Sequence, residues 1–435
     1  MSEWTETTIG EVSAVFDGPH ATPAKVSEGP IFLGISCLSR GRLDLTAAEH
    51  LSEHDFKRWT RRVEPTAGDV VFSYETRLGE VALIPPGLRC CLGRRMALIR
   101  PDRTKIDSRF LLYYYLSPEF QDLIRSRTVP GSTVDRIFLE EFPKFPVRVP
   151  DLATQREVAS LLSAIDDKIE LNRRVNQTLE SMARAIFRSW FVDFDAVVAK
   201  VAGRQPFGMS SDVAALFPDR FVDSAIGAIP NGWSTRSIYE FAQFVNGAPF
   251  KGSHFSPDRS GLPIVKIAEL KYGIAEQTQF TTQSHDEKYR LATGDVLFSW
   301  SGSPETSIGT FVWSGGSAWL NQHIFRVSPN RKEDDLFVYY ALLRLNVEFI
   351  EIARNKQTTG LGHVTVADLK RLLVVAPSDS AVRAFNYIVR PSYTKWFGTT
   401  LESRTLAALR DALLPKLMSG ELRVRDAEKL VGTHV

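Results

Sequence analysis

The hexapeptide GDVVFS at Gly68–Ser73 returns as GDVLFS at Gly294–Ser299, 226 residues further on. No other feature constrains the fold as strongly, because whatever local structure the first copy adopts the second must also adopt. The echo extends in order on both sides. EWTETTIGEV near the start matches GWSTRSIYEF from Gly232, with Trp4 over Trp233. GPIFLGI (Gly29 to Ile35) faces LPIVKIA (Leu262 to Ala268), and CLGRRMALIRPD (from Cys91) faces WLNQHIFRVSPN (from Trp319). FLLYYYL faces LFVYYAL, TVPGSTV faces QTTGLGHV, and FPVRVPD faces LLVVAPSD. A kept order at a near-constant offset is a duplicated domain whose loops have diverged.

Each copy reads as a mixed α/β unit. DVVFSY, MALIRP, DVLFSW and HIFRVS are short β-branched or alternating runs bounded by Gly and Pro, which favours strands. SRFLLYYYLSPEFQDLIRS reads as a helix opened by Ser108, and DDLFVYYALLRLNVEFIEIAR as one opened by Asp334 or Asp335.

A second repeated element lies outside these units. From Thr154 to about Val192 there is neither Pro nor Gly. Leu162, Ile165, Ile169, Asn172, Asn176, Leu179, Ala183, Ile186 and Trp190 advance in alternating steps of three and four, a heptad seam. Moved on by 227 residues, the same positions are Val389, Ser392, Trp396, Thr399, Ser403, Leu406, Arg410, Leu413 and Leu417. Both seams have a polar centre, which costs stability and specifies register. Two matching imperfect seams are expected to pack on each other. Pro391 puts the effective start of the second helix after it, Pro415 bends or ends it, and Gly420 suits a C-cap.

The expected order is a globular unit over 1–150, a long helix over 151–195, a Gly/Pro/Ala-rich connector over 196–230, a second globular unit over 231–377, a long helix over 378–422 and a tail over 423–435. The fold class is α/β (α+β): two duplicated mixed units separated by two long antiparallel helices, related by a pseudo-two-fold axis.

Composition narrows the chemistry. With 43% hydrophobic and 24% charged residues the 435-residue chain can bury real cores. Its three cysteines show no CxxC or secretory spacing, which suits reduced thiols in a cytosol. The start lacks a signal region, and no apolar run approaches the roughly 20 residues of a membrane span. There is no G-x-x-x-x-G-K-[ST] phosphate loop, no dinucleotide turn, and no metal-ligand spacing among the histidines, which include His20, His50, His285, His363 and His434. One pattern offers an enzymatic alternative: Pro257-Asp258 ahead of Glu269-Leu270-Lys271 has the PD…ExK form of metal-dependent nucleases. The aligned segment of the first copy carries no acid. A further alternative is a coiled-coil scaffold with no DNA role.

The net charge of +2 does not point to nucleic acid, but a basic stretch runs through Lys57, Arg58, Arg61, Arg62, Arg77, Arg89, Arg94 and Arg95 to Arg109. SWSGSPETS, NGAPFKGSHFS, NQH and RNKQTTGLGH are loops rich in amides, hydroxyls and cations, the groups that match base edges and phosphates.

Laid out this way, the chain resembles the specificity subunits of type I restriction–modification enzymes. The stretches carrying the resemblance are RVPDLATQREVASLLSAIDDKIELNRRVNQTLESMARAIFRSWFVDFD, GRQPFGM…ALFPDRFVDSAIGAIPNGW and LRDALLPKLMSGELRV, and with the duplicated units they cover essentially the whole chain. LATQR departs from the family, which often has a Pro-rich stretch ending in Glu-Gln. The resemblance implies a non-catalytic, cytoplasmic DNA-binding subunit whose two units each read half of a bipartite, asymmetric site. The helices would space the readers and dock two modification subunits, with restriction subunits joining them. S-adenosylmethionine, ATP and Mg²⁺ would belong to those partners and none to this chain. On this reading Arg58, Arg61, Arg62, Lys251 and Lys356 bind phosphate, Arg94, Asn321, Gln322 and His323 read bases, and His254, Ser299 and Ser301 stand in the same loops. The purified chain, free of partners, is expected neither to cut nor to methylate DNA. A plasmid assay with Mg²⁺ and S-adenosylmethionine checks this, and cleavage by the lone chain overturns it.

Overall fold

The computed structural model describes residues 4–20, 22–46, 48–131, 134–357 and 360–432. Ser132 and Thr133 of TVPGSTV, Thr358 and Thr359 of QTTGLGHV, and His434 lie outside the described residues. The chain forms two compact units, one of residues 1–171 with 402–435 and the other of residues 172–401.

The repeated hexapeptide forms the same structure in each. In the first unit Val70–Ser73 is the third strand of a four-stranded antiparallel sheet in the order Ser13–Asp17, Met96–Pro101, Val70–Ser73, Val81–Leu83. In the second, Val296–Ser299 holds the same place among Ala242–Asn246, Ile324–Pro329 and Gly309–Val312. The motif's residue types follow from that position. Gly68 and Gly294 take φ of 92° and 100°, a left-handed turn open to glycine at little cost. The next residue closes the turn: Asp69 accepts the Thr66 N–H at 2.8 Å and Asp295 the Ala292 N–H at 2.8 Å. The apolar residues that follow enter the core, where Phe72 and Phe298 are fully buried.

A second, mixed sheet stands beside each of these. It holds a parallel pair, Lys25–Leu33 with Cys90–Leu92 in the first unit and Leu262–Val265 with Ala318–Leu320 in the second. Burial pushes the thiols of Cys90 and Cys91 up to about 12, so both stay protonated and inert at neutral pH. First and last strands close each globular body, Thr5–Thr8 on Pro146–Val149 and Ser234–Ser237 on Leu373–Ala376.

Two helices cover the main sheet of each unit. The stretch expected to form one helix from Ser108 is two, Ser108–Leu116 and Pro118–Ser126, because the residue before a proline is driven from helical geometry. Ser117 ends one and caps the next, and the first is capped by Asp107, which accepts the N–H groups of Arg109 and Phe110. The counterparts are Asp335–Arg344 and Asn346–Asn355. The stretch over 196–230 packs into the second unit through short helices Asp195–Val201 and Ser211–Ala215, burying Val197 and Phe217.

The long helices are Leu152–Phe191 and Asp379–Ser419. Pro391 does not delay the second: its ring leaves the carbonyl of Tyr387 without its helical N–H partner, and Tyr387 is 84% exposed, where water can supply the missing donor. Pro415 is likewise inside the helix, which ends at Gly420 with φ 77°. Within each unit the segments run antiparallel. In the first, Lys168 meets Glu402 at 3.2 Å and Asp166 meets Arg410 at 2.7 Å. In the second, Asn176 Nδ2 donates to Thr400 Oγ1 at 3.0 Å, the Thr399 hydroxyl donates to Asn176 Oδ1 at 2.5 Å, and the Phe187 and Phe385 rings lie 5.7 Å apart. The seam residues are where the heptad puts them. Leu162, Ile165, Leu406 and Leu413 are buried and Ile169 half-buried in the first unit's core. Asn172 is buried, and Asn176, Leu179, Ile186 and Trp396 half-buried, in the second unit.

Each globular body is tied to its helices at one repeated place. Tyr113 Oη donates to Asp166 Oδ2 at 2.8 Å, Arg42 reaches the Asp166 carbonyl and the Glu170 carboxylate, and Arg410 Nη1 donates to Asp166 Oδ1. In the second unit the corresponding residues are Tyr339 and Tyr393, whose rings pack edge-on at 5.6 Å with Trp396 alongside. Asp166→Ala takes the carboxylate acceptor from a buried phenol and leaves the half-buried Arg410 guanidinium with Asp411 alone, an expected cost of about 1–3 kcal/mol. Chaotrope unfolding measures it, against Glu141→Ala in an exposed pair, where roughly 0–1 kcal/mol is expected.

Candidate nucleic-acid interface

In the first unit, the helix Glu53–Trp59 starts at Ser52, whose hydroxyl accepts the Asp55 N–H at 3.1 Å. Phe56 anchors it in a small core, with the Arg89 guanidinium 4.7 Å over its ring. The helix end and following loop therefore project Arg58, Arg61 and Arg62 outward. All three line one cleft of about 520 Å³ with Asp17, Gly18, His20, Trp59 and Leu92. None of the three has a hydrogen-bond or ion-pair partner among the described residues, whereas Arg77, Arg89, Arg95 and Arg100 are each paired with a carboxylate. Within the basic stretch, four arginines are thus tied to carboxylates, while Arg58, Arg61 and Arg62 gather at one cleft with their charge open to an anionic ligand.

Gly18 sets the cleft's edge. Its N–H bonds Met96 O at 3.0 Å, and a Cβ there would meet the same oxygen at 2.5 Å. This contact draws the loop that carries Asp17 and His20 against the turn that carries exposed Arg94. His20 Nε2 lies 2.8 Å from Asp17 Oδ2. Burial raises the pKa of Tyr74, and the Asp17 charge raises it further.

The second unit builds the same junction with other side chains. A Cβ on Gly247 would meet Asn321 O at 2.2 Å, and the Gln322 N–H donates to Ala248 O at 3.0 Å. The approach gathers Asn246, Gln322, His323 and Trp300. Trp300 Nε1 donates to Asn246 Oδ1 at 2.9 Å, the Trp300 and His323 rings are 5.9 Å apart, and Gln322 Nε2 is 3.4 Å from His323 Nε2. Exposed Lys251 leads into the turn of His254, whose ring lies 5.8 Å from that of His285. Burial, then the neighbouring His254, holds His285 below the usual histidine range.

Four expected site residues are engaged inside the fold instead. Ser299 is fully buried, because its strand is covered on both faces, with Leu297 in one core and Phe298 in the other. Asn321 is 6% exposed, and its Oδ1 accepts the His323 N–H at 3.4 Å, so it shapes the turn. Ser301 is half-buried in a short pairing with His363. Lys356 Nζ is held by both oxygens of buried Asp368 at 2.6 and 2.5 Å. The nuclease pattern also dissolves. Glu269 is buried, accepting the Lys266 N–H and the Thr278 hydroxyl, and Asp258 closes its own turn by accepting from Ser260. Both carboxylates serve the backbone, and the metal-dependent nuclease reading has no support.

The family description "Type I restriction modification DNA specificity domain" matches residues 1–181 and 230–381, so each match takes in one globular body with its sheet and loop junction. The chain belongs to this family. It is a recognition subunit and not a catalytic one. The type I restriction enzyme HindI specificity subunit of Haemophilus influenzae is 24% identical over 75% of this chain and 80% of its own length. The MjaIX specificity subunit of Methanocaldococcus jannaschii is 23% identical over 89% of this chain and 84% of its own. In fold the chain is similar to the S subunit crystal structure from M. genitalium, with a TM-score of 0.58 at 15% identity over 96% of both chains. Among the described residues no helix is long and apolar enough to cross a membrane.

Sequence reasoning missed Asp17 and His20, and it named the loops NGAPFKGSHFS and SWSGSPETS without singling out their Asn246 and Trp300. The signal was present: Asp17-Gly18 and Asn246-Gly247 occupy the same place in the repeat. At Asp368 burial opposes the charge, but the Lys356 ammonium and Thr365 outweigh it and hold the carboxyl below its usual range. Its contribution to stability is therefore complete above the ordinary carboxylate pKa and is lost as pH falls through the lower folded one. Lys356→Met removes the counter-charge, so the acid limb of the unfolding curve is expected to move to higher pH, with a loss of about 1–3 kcal/mol at neutral pH, since Lys356 is itself partly exposed. Thermal unfolding from pH 3 to 7 checks this, and an unmoved acid limb refutes it.

Proposed function

We propose that this subunit reads a bipartite, asymmetric DNA site, one half with each unit, and positions two modification subunits and the restriction subunits of a cytoplasmic complex. S-adenosylmethionine, ATP and Mg²⁺ then act in those partners. One observation carries the reading: the same scaffold junction is built twice and carries different side chains. The first junction presents Arg94, Asp17 and His20 beside three unpaired arginines, the second Asn246, Gln322, His323 and Trp300. A shared frame with divergent polar tips is what two unlike half-sites demand, since phosphate contacts position and base-edge contacts specify. The long helices support a spacer role. At about 1.5 Å per residue, a helix of 40 residues is roughly 60 Å long, more than one DNA turn of roughly 34 Å.

The test is reconstitution with a modification subunit, followed by mapping of methylated positions across a genome. One two-part motif with a fixed gap is expected; a single continuous motif, or none, refutes the proposal. In the same complex, Arg58→Ala, Arg61→Ala and Arg62→Ala are each expected to weaken binding to every sequence alike and to lower the salt slope by about one. Binding isotherms over a series of salt concentrations measure this.

A further inference from the structure

At one position the two units differ in a way that base chemistry can read. Asp17 is the last residue of its sheet strand, paired with Ala97, and Asn246 the last of the corresponding strand, paired with Phe325. A glycine follows each and packs on the neighbouring turn. Each is braced by the aromatic residue after the repeated hexapeptide: Trp300 Nε1 donates to Asn246 Oδ1, and Tyr74 lies against Asp17. The frame is common, and the functional group is a carboxylate in one unit and an amide in the other.

Phosphate binding does not explain Asp17. A carboxylate in a cleft with three unpaired arginines opposes a phosphate backbone, so a surface built only to hold DNA is better without it. The Asp17 side chain is 27% exposed; its Oδ2 is held by His20 at 2.8 Å, while its Oδ1 is buried at the cleft with no hydrogen-bond partner among the described residues, and a carboxylate can only accept. Among base edges in the major groove, a carboxylate fits the exocyclic amine of cytosine and repels the O6 of guanine and the O4 of thymine. Asn246, exposed and oriented through its oxygen by Trp300, keeps an amide N–H₂ to donate and a second lone pair to accept, the pattern that matches N7 and N6 of adenine.

Resting on the reading of this chain as a DNA-specificity subunit, we propose that Asp17 and Asn246 are equivalent base-reading positions. Asp17 accepts from a cytosine amine in one half-site and Asn246 pairs with an adenine in the other. Arginines 58, 61 and 62 hold the backbone while Asp17 rejects bases with an acceptor at that place.

The experiment uses the full chain in complex with its modification subunit and selects from a duplex pool with both half-sites randomised. Wild type, Asp17→Asn, Asn246→Asp and Arg58→Ala are compared. Asn and Asp have the same shape, so both exchanges keep the fold. Asp17→Asn is expected to change the base preferred at one position of one half-site, a cytosine in wild type, with discrimination falling roughly 5- to 150-fold. Asn246→Asp is expected to do the same at an adenine of the other half-site, while Arg58→Ala weakens binding and leaves both motifs intact. Asp17→Asn that only tightens binding to all sequences alike overturns the proposal, as does an unchanged motif or any wild-type base other than cytosine at the affected position. A wild-type complex that enriches no sequence overturns instead the underlying DNA reading.

Discussion

The seam between the long helices is the interaction on which the rest depends. Neither globular body has a closed core without it. In the first unit buried residues run without interruption from Val70 and Phe72 of the sheet, through Tyr113, Tyr114 and Tyr115, to Leu162 and Ile165 of one helix and Leu406, Leu413 and Leu417 of the other. Those last residues come from the far end of the chain, so the unit cannot complete itself until residues 402 onward have returned. The second unit repeats the logic with Phe187, Trp190 and Phe191 facing Phe337 and Phe385. The apolar parts of the seam supply the driving force. Its polar residues supply the address: Asn176 bonds Thr399 and Thr400 across the seam, and a shifted register would break these bonds.

Duplication with divergence is visible at two places of different purpose. Where body meets helix, the first unit uses an ionic hub at Asp166 and the second an aromatic one at Tyr393, and both do the same mechanical work. Where the sheet meets its loops, Asp17 and Asn246 sit in one frame but offer a ligand different hydrogen bonds. The first exchange lies between body and helix, where most of the side chains involved are buried or half-buried and contact one another. The second lies on an open surface, where a change of side chain changes what is recognised.

What could be read in advance follows from the range of the forces involved. The heptad was legible because a helix face is set by neighbours three and four residues away. The strand character of DVVFS and DVLFS was legible because turn glycine, capping aspartate and apolar run are adjacent. Errors fell where a distant partner decides. Lys356 reads as a loose loop cation until Asp368 is folded against it, and Ser299 reads as a loop hydroxyl until two cores cover its strand on both faces. Pro391 reads as a helix break, yet the helix passes it, at a turn where Tyr387, the residue whose carbonyl loses its helical partner, is exposed.

The sequence alone therefore determined that there are two copies of one α/β body, that each comes with a long heptad-bearing helix, and that no nucleotide or metal motif accompanies them, since these are matters of local pattern and order. Only the tertiary structure decided which cations remain open to a ligand and which carboxylates are consumed as caps, and that two glycines draw Asp17 and Asn246 into equivalent junctions. The availability of a polar group is a property of what it is not already bonded to, and that partner comes from tens to hundreds of residues away.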